Sequence, residues 1–160
     1  MSDEILKQDC QCPCGHTKFT IQGKPISRAF CHCTICQEFN HAAYADVTIF
    51  LSKDVLLHDE KCVNFSAYKK PPAVQRGKCS KCDKPAIERF DLPLLPSLTI
   101  IPSGNIPAGP FLPESSAHIF YHRRLADISD ELPKYSGFLK SQVVFNAKLM
   151  PNLFRRLVGW

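Results

Sequence analysis

The spacing of the nine cysteines limits this chain more than any other feature. Seven fall into three tight groups: Cys12-Pro-Cys14, Cys31-His-Cys33-Thr-Ile-Cys36 and Cys79-Ser-Lys-Cys82. Cys10 and Cys62 stand alone. An odd number excludes complete disulfide pairing. The opening MSDEILKQDC lacks the basic and then apolar order of a secretory signal, so the chain reads as cytoplasmic. In a reducing compartment, clustered cysteines point to metal rather than to disulfides. A CxxC turn lets two thiolates grip one ion, and CxC does so where the chain bends sharply. Two such pairs far apart in sequence make a four-cysteine zinc site that staples a fold. Cys12, Cys14, Cys79 and Cys82 are the natural set, because the middle group is compact enough to hold an ion of its own. Cys31, Cys33 and Cys36 supply only three ligands. Either His41, Cys10 or Cys62 closes that site, or its fourth position is left for substrate, as in working zinc sites. Spacing alone leaves both readings open. His32 lies between two of the cysteines and would point away from them in an extended stretch.

The remaining composition narrows the class. With 160 residues and 44% hydrophobic content, the chain is long enough for one ordinary core. No stretch approaches the roughly 18 uninterrupted apolar residues of a spanning helix. The formal charge of +5 falls to about +2 once seven thiolates hold two zinc ions. The cations are scattered, with only short pairs such as Lys69-Lys70 and Arg155-Arg156. That pattern argues against nucleic acid as a partner.

The first half reads as short strands around cysteine turns. KFTIQG alternates Phe19 and Ile21 inward and turns at Gly23-Lys24-Pro25. ISRAFCHC, AYADVTIFL, KCVNFSAY, AVQRGKC, AIERF, SLTIIP and AHIFYH are further strand candidates, with Lys70-Pro71-Pro72 as a hairpin break. Thirteen prolines favour loops over long helices. The expected class is therefore mainly β, antiparallel and local. Near the end, Val143, Ala147, Met150, Phe154 and Leu157 recur at helical spacing, with Pro151 expected to kink or split the pattern. The stripe predicts a helix covering the sheet, with a homodimer contact or a basic amphipathic anchor as alternatives.

These motifs together resemble the glutathione-dependent formaldehyde-activating enzyme family, which also includes relatives of centromere protein V. CPCGHTKFTIQGKP resembles the family's opening CxCGxxxF strand, FCHCTICQ its central CxCxxC, and QRGKCSKC its closing CxxC. AHIFYHRRLADISDELPKYSG resembles its later HIF and LPxF segment. Asp83 stands where the family usually has glycine, and Leu125 where a tryptophan is common. The resemblance implies twisted antiparallel sheets around a structural zinc, an Mss-four-like fold. It gives a zinc-binding domain over residues 1–137, and the helical spacing beyond it makes 138–160 a helical extension packed on the same domain. By motif position, Cys12, Cys14, Cys79 and Cys82 would hold the structural zinc. Cys31, Cys33 and Cys36 would hold a second, catalytic zinc with an open position. The implied activity is that of a carbon–sulfur lyase adding or removing a thiol, glutathione or similar, at a small aldehyde. The alternative is a non-catalytic scaffold with two structural zincs. Lys53, Lys78, Arg89 and His118 are candidates for a basic rim that receives glutathione carboxylates, and Gln37 and Glu38 for orienting substrate.

Overall fold

A computed structural model describes residues 6–69, 74–91 and 93–158, including the side chains of the last helix except at 142, 144–146, 148 and 156. The proposed hairpin break at Lys70-Pro71-Pro72 lies outside the described residues. Among the described residues, ten strands form two sheets. In chain order they are β1 (Gln8–Gln11), β2 (Lys18–Ile21), β3 (Ser27–Cys31), β4 (Ala45–Leu51), β5 (Val55–Leu57), β6 (Val63–Ala67), β7 (Val74–Cys79), β8 (Pro85–Phe90), β9 (Leu98–Pro102) and β10 (His118–Ile119). The helices are α1 (Thr34–Asn40) and α2 (Phe138–Val158). The smaller sheet runs β1-β2-β5 and the larger β10-β3-β4-β9-β8-β7-β6. All ladders are antiparallel except that of β10 with β3. The mainly β architecture with a C-terminal helix is the expected one.

Strand β4 explains how the molecule divides. Flanked by β3 and β9, it is buried almost end to end, and its successive side chains go to opposite faces. Phe50 enters a core with Phe19, Ile21, Ile87, Ile101, Cys12 and Cys79. Ile49 and Leu51 face the other way, against Leu149 and Leu153 of α2. Ala45 and Val47, on that same side, pack beside Cys31 and Cys36. The sheet therefore has one face toward the first cysteine cluster and the other toward the second.

Two close approaches keep this arrangement. Gly77 in β7 sits where an added Cβ would meet Val63 Cγ1 at 2.5 Å and the Ile87 carbonyl at 2.6 Å, so only glycine lets β6, β7 and β8 stack. The register of β7 on β8 shifts directly after it, between Gly77 and Lys78. Asp83 takes the left-handed conformation, with φ at 57°, and its N–H donates to the Cys79 carbonyl. Aspartate tolerates that conformation better than most residues, so the turn survives without the family's usual glycine.

Several sequence expectations need correction. Strands β1 and β5 and helix α1 were not anticipated. AHIFYH contributes only a two-residue strand, and it pairs in parallel. Helix α2 is a single helix that includes Pro151. Contacts bracket the proline: Leu149 and Leu153 are buried, and Asn152 Nδ2 donates to the Ile26 carbonyl at 3.0 Å. The face that covers the sheet is not the predicted stripe. Val143, Ala147, Met150, Phe154 and Leu157 are all exposed.

Candidate metal centres and the adjoining cavity

The first cluster is assembled from two turns remote in sequence. Cys12 and Cys14 lie in the turn between β1 and β2. Cys79 ends β7 and Cys82 lies in the turn to β8. The four sulfurs lie within 4.8 Å of one another. Cys12 and Cys14 Sγ are 3.5 Å apart, and Cys14 and Cys79 Sγ 3.7 Å apart. A tetrahedral zinc with Zn–S of ~2.3 Å needs sulfur–sulfur edges of about 3.8 Å, so the donors fit. Backbone donors are already aimed at the sulfurs. The Thr17 N–H points to Cys12 Sγ at 3.3 Å, and the Lys81 N–H to Cys79 Sγ at 3.4 Å. Burial raises the Cys79 thiol, but hydrogen bonds from Thr17 and from the Cys82 and Lys81 amides outweigh it and hold the thiol down at about 5.

The second cluster is local. Strand β3 ends at Cys31, Cys33 is the N-cap of α1, and Cys36 lies in its first turn. Their sulfurs also fall within 4.8 Å of one another. The Cys36 N–H donates to Cys33 Sγ at 3.3 Å, so the cap that starts the helix also fixes the ligand. Hydrogen bonds from Cys31 and Cys36 hold the Cys33 thiol far below its usual range, at about 3. The same contacts raise Cys36 and push Cys31 up to about 12. One thiolate is thus solvated by two neighbouring thiols, a charge distribution ready for a soft cation.

Among the described residues, the group contains these three cysteines alone. His41 is exposed and left-handed at the end of α1. Cys10 packs in the core of the first cluster. Cys62 lies in a short turn of 3-10 helix, where burial and then Asp59 raise its thiol, with smaller contributions from Cys79 and Cys12 of the first cluster.

Two polar arrangements behind the trio escaped the sequence reading. Arg76 in β7 pairs with Glu88 in β8 at 2.9 Å, both side chains largely buried, and also reaches the Cys36 sulfur. Burial pushes the Glu88 carboxyl up to about 7, against the pull of Arg76. These residues are directly opposite in the β7–β8 register, and a cross-strand pair of opposite charges is the signal that could have found them. The second arrangement starts at His32. Its Nε2 is 2.9 Å from His118 Nδ1, and His118 Nε2 is 2.8 Å from Asp130 Oδ2. A carboxylate accepts, so His118 donates from Nε2 to Asp130. Burial, then His118 and Arg124, hold His32 down at about 4, so it is a neutral ring. His118 is therefore a buried link and not a rim cation.

The trio opens on a cavity of about 680 Å³ between the sheet and α2, lined also by Arg76, Lys69, His122 and Arg123. None of Lys53, Lys78, Arg89 and His118 lines it. Arg89 instead pairs with Glu60. Gln37 is a tie: its Nε2 donates to the carbonyls of His32 and Arg123 at 2.7 and 2.8 Å. Glu38 is exposed on α1 and does not line the cavity.

The fold and the sulfurs define a mainly β protein with two thiol clusters able to hold metal ions, a donor chemistry compatible with zinc. Residues 7–123 match the family described as glutathione-dependent formaldehyde-activating enzyme, and the chain belongs to that family. No curated protein matches it. Among the described residues, no helix is long and apolar enough to cross a membrane.

Proposed function

We propose that the chain is a cytoplasmic, zinc-dependent carbon–sulfur lyase that adds a thiol, glutathione or similar, to an aldehyde and reverses that addition. The observation that carries this reading is a three-cysteine cluster that faces a cavity, with no fourth ligand beside it among the described residues. Cys12, Cys14, Cys79 and Cys82 would hold a structural zinc, and Cys31, Cys33 and Cys36 a catalytic one. A zinc ion held by these three cysteines would lower the pKa of a thiol and polarise an oxygen. Three thiolate donors favour a thiol there over hydroxide.

The chain's own residues do the rest. Arg76 offsets the negative charge gathered on the trio, and Glu88 keeps that guanidinium aimed. Gln37 ties the segment carrying the trio to the segment carrying Arg123, holding one wall against the other. Lys69 and Arg123 supply positive charge for the carboxylates of a thiol such as glutathione, and His122 lines the cavity beside them. The exposed stripe on α2 supports a further reading, that two copies associate through this helix. Light scattering on the native chain and on a Phe154→Glu variant checks it, with a dimer expected only for the former.

The decisive experiment is exchange NMR of glutathione with an aldehyde, using protein of measured zinc content. Acceleration over the spontaneous reaction, abolished by Cys36→Ser, is the expected result. No acceleration with both sites filled would leave the scaffold reading.

A further inference from the structure

The cavity beside the trio is larger and more apolar than a one-carbon aldehyde requires. Its deep wall is made by Ile49, Leu98, Ile100, Phe90 and Val74 from the sheet and by Leu149 from α2. Its charged residues are Lys69, Arg76 and Arg123, with no aspartate or glutamate lining it among the described residues. Arg76 is already engaged by Glu88 and by the Cys36 sulfur. Phe138 closes one side, 5.8 Å from the Phe120 ring and 5.5 Å from the Lys69 ammonium. Phe120 is held there in a left-handed conformation, its N–H donating to the buried Ser141 Oγ at 2.8 Å. Phe138, Ser141 and Leu149 all belong to α2. That helix lies beyond residue 123, where the family match ends, so this wall is a feature of the chain's own C-terminal segment.

Volume and polarity together decide what fits. A water molecule occupies ~30 Å³ of liquid, so 680 Å³ corresponds to roughly twenty water-sized units. Formaldehyde has two heavy atoms and would leave the apolar wall wet. A glutathione backbone would meet polar partners only toward Thr34, Tyr68 and the cations, and its amides would lose water against the Ile, Leu and Phe side chains of the remaining wall. A hydrocarbon arm loses nothing there and gains by leaving water. The carboxylates of the thiol carrier belong instead at the cationic rim of Lys69 and Arg123.

We propose that the site acts on hemithioacetals whose carbon–sulfur centre carries an apolar arm of roughly six carbons, seated between the sheet and α2. This rests on the carbon–sulfur lyase reading above and specifies its substrate. In the forward direction the thiol sulfur bonds to the carbonyl carbon. The C=O π pair moves to oxygen, which takes up the proton lost by the thiol. The reverse step returns aldehyde and thiol, and neither direction needs an oxidant or reductant.

The test is calorimetric binding of S-hexylglutathione and S-methylglutathione to the zinc-loaded full chain. Each buried methylene favours binding roughly fourfold, so S-hexylglutathione should bind at least ~50-fold more tightly. Ile100→Trp and, separately, Val74→Trp fill the cavity and should bring that ratio toward one. A wild-type ratio within about threefold of one, or binding of neither ligand, overturns the proposal. Exchange NMR separates it from the reading beneath it. Acceleration of hexanal with glutathione, or of formaldehyde with hexanethiol, beyond formaldehyde with glutathione supports the proposal and shows which half carries the arm. Acceleration of formaldehyde with glutathione without any hexyl preference overturns it and keeps the lyase. Tight S-hexylglutathione binding without acceleration of any pair keeps the apolar-arm site and overturns the lyase.

Discussion

The two cysteine clusters share their donor atoms and differ in how the chain reaches them. The four-cysteine cluster joins residues 65 positions apart, Cys14 and Cys79, and lies in a core with Phe19, Ile21, Phe50 and Ile87. The three-cysteine cluster spans six consecutive residues on the other face of the large sheet, packed by Ala45, Val47 and Ile119 on one side and open to a cavity on the other. An ion in the first would close a long loop and replace entropy lost by ordering two distant turns. An ion in the second would close nothing that β3 and α1 do not already hold. Position in the chain thus distinguishes the clusters: an ion in the first would tie distant segments together, and an ion in the second would sit within one local segment.

The comparison breaks most visibly at Cys79. Cys79→Ser removes a buried donor from the long-range cluster, and ion binding at such sites is coupled to folding on a scale of ~10 kcal/mol. That exceeds much of the usual margin of about 5–15 kcal/mol, so the variant should be unfolded or insoluble. Circular dichroism and zinc analysis check this. A folded Cys79→Ser protein that keeps a normal melting temperature would end the distinction.

Gly77→Ala tests the same region without touching a ligand. Its methyl group must displace Val63 and the Ile87 carbonyl, an overpacking cost of about 1–3 kcal/mol. Urea unfolding should report that loss, with zinc content unchanged in the folded fraction.

Much of this division was legible beforehand, for identifiable reasons. Cysteine spacing survives into structure because a turn brings its own thiols together whatever the rest of the chain does. Alternation in KFTIQG put Phe19 and Ile21 inside, as found. Burial of a helix face was not legible. The regular stripe from Val143 to Leu157 suggested the core side, yet among the described side chains of α2 the buried apolar ones are Leu149 and Leu153, with Asn152 between them and Ser141 adding a buried hydrogen bond. Periodicity reports that a face exists, not what covers it. The hidden polar groups were illegible for a different reason. His118 looked like a surface cation until β10 laid it in parallel beside β3, where His32 and Asp130 hold its two nitrogens.

At the second cluster the expected loss of stability is smaller and the loss of function complete. Cys36→Ser should lower zinc content from two ions to one per chain, as expected for two separate sites. Thermal unfolding should shift by only a few degrees, about 1–2 kcal/mol for a domain of this size. Thiol–aldehyde exchange should cease. A melting curve that collapses as in Cys79→Ser would make both clusters structural and favour the scaffold reading.

The finest test is Gln37→Ala, which keeps all three sulfurs and removes the tie between them and the cavity wall. The lost hydrogen bonds to the His32 and Arg123 carbonyls are worth about 1 kcal/mol together, because one is solvent-exposed. Both carbonyls can turn to water, so the fold should persist and both zinc ions should stay bound. Positioning should suffer instead, since Arg123 would no longer be held at a fixed distance from the trio. The expected signature is a higher KM for the anionic thiol with little change in kcat, measured by exchange NMR across thiol concentrations. An equal fall in kcat with KM unchanged would mean that Gln37 acts on the sulfurs themselves, and the second cluster would then be less self-contained than its six-residue span implies.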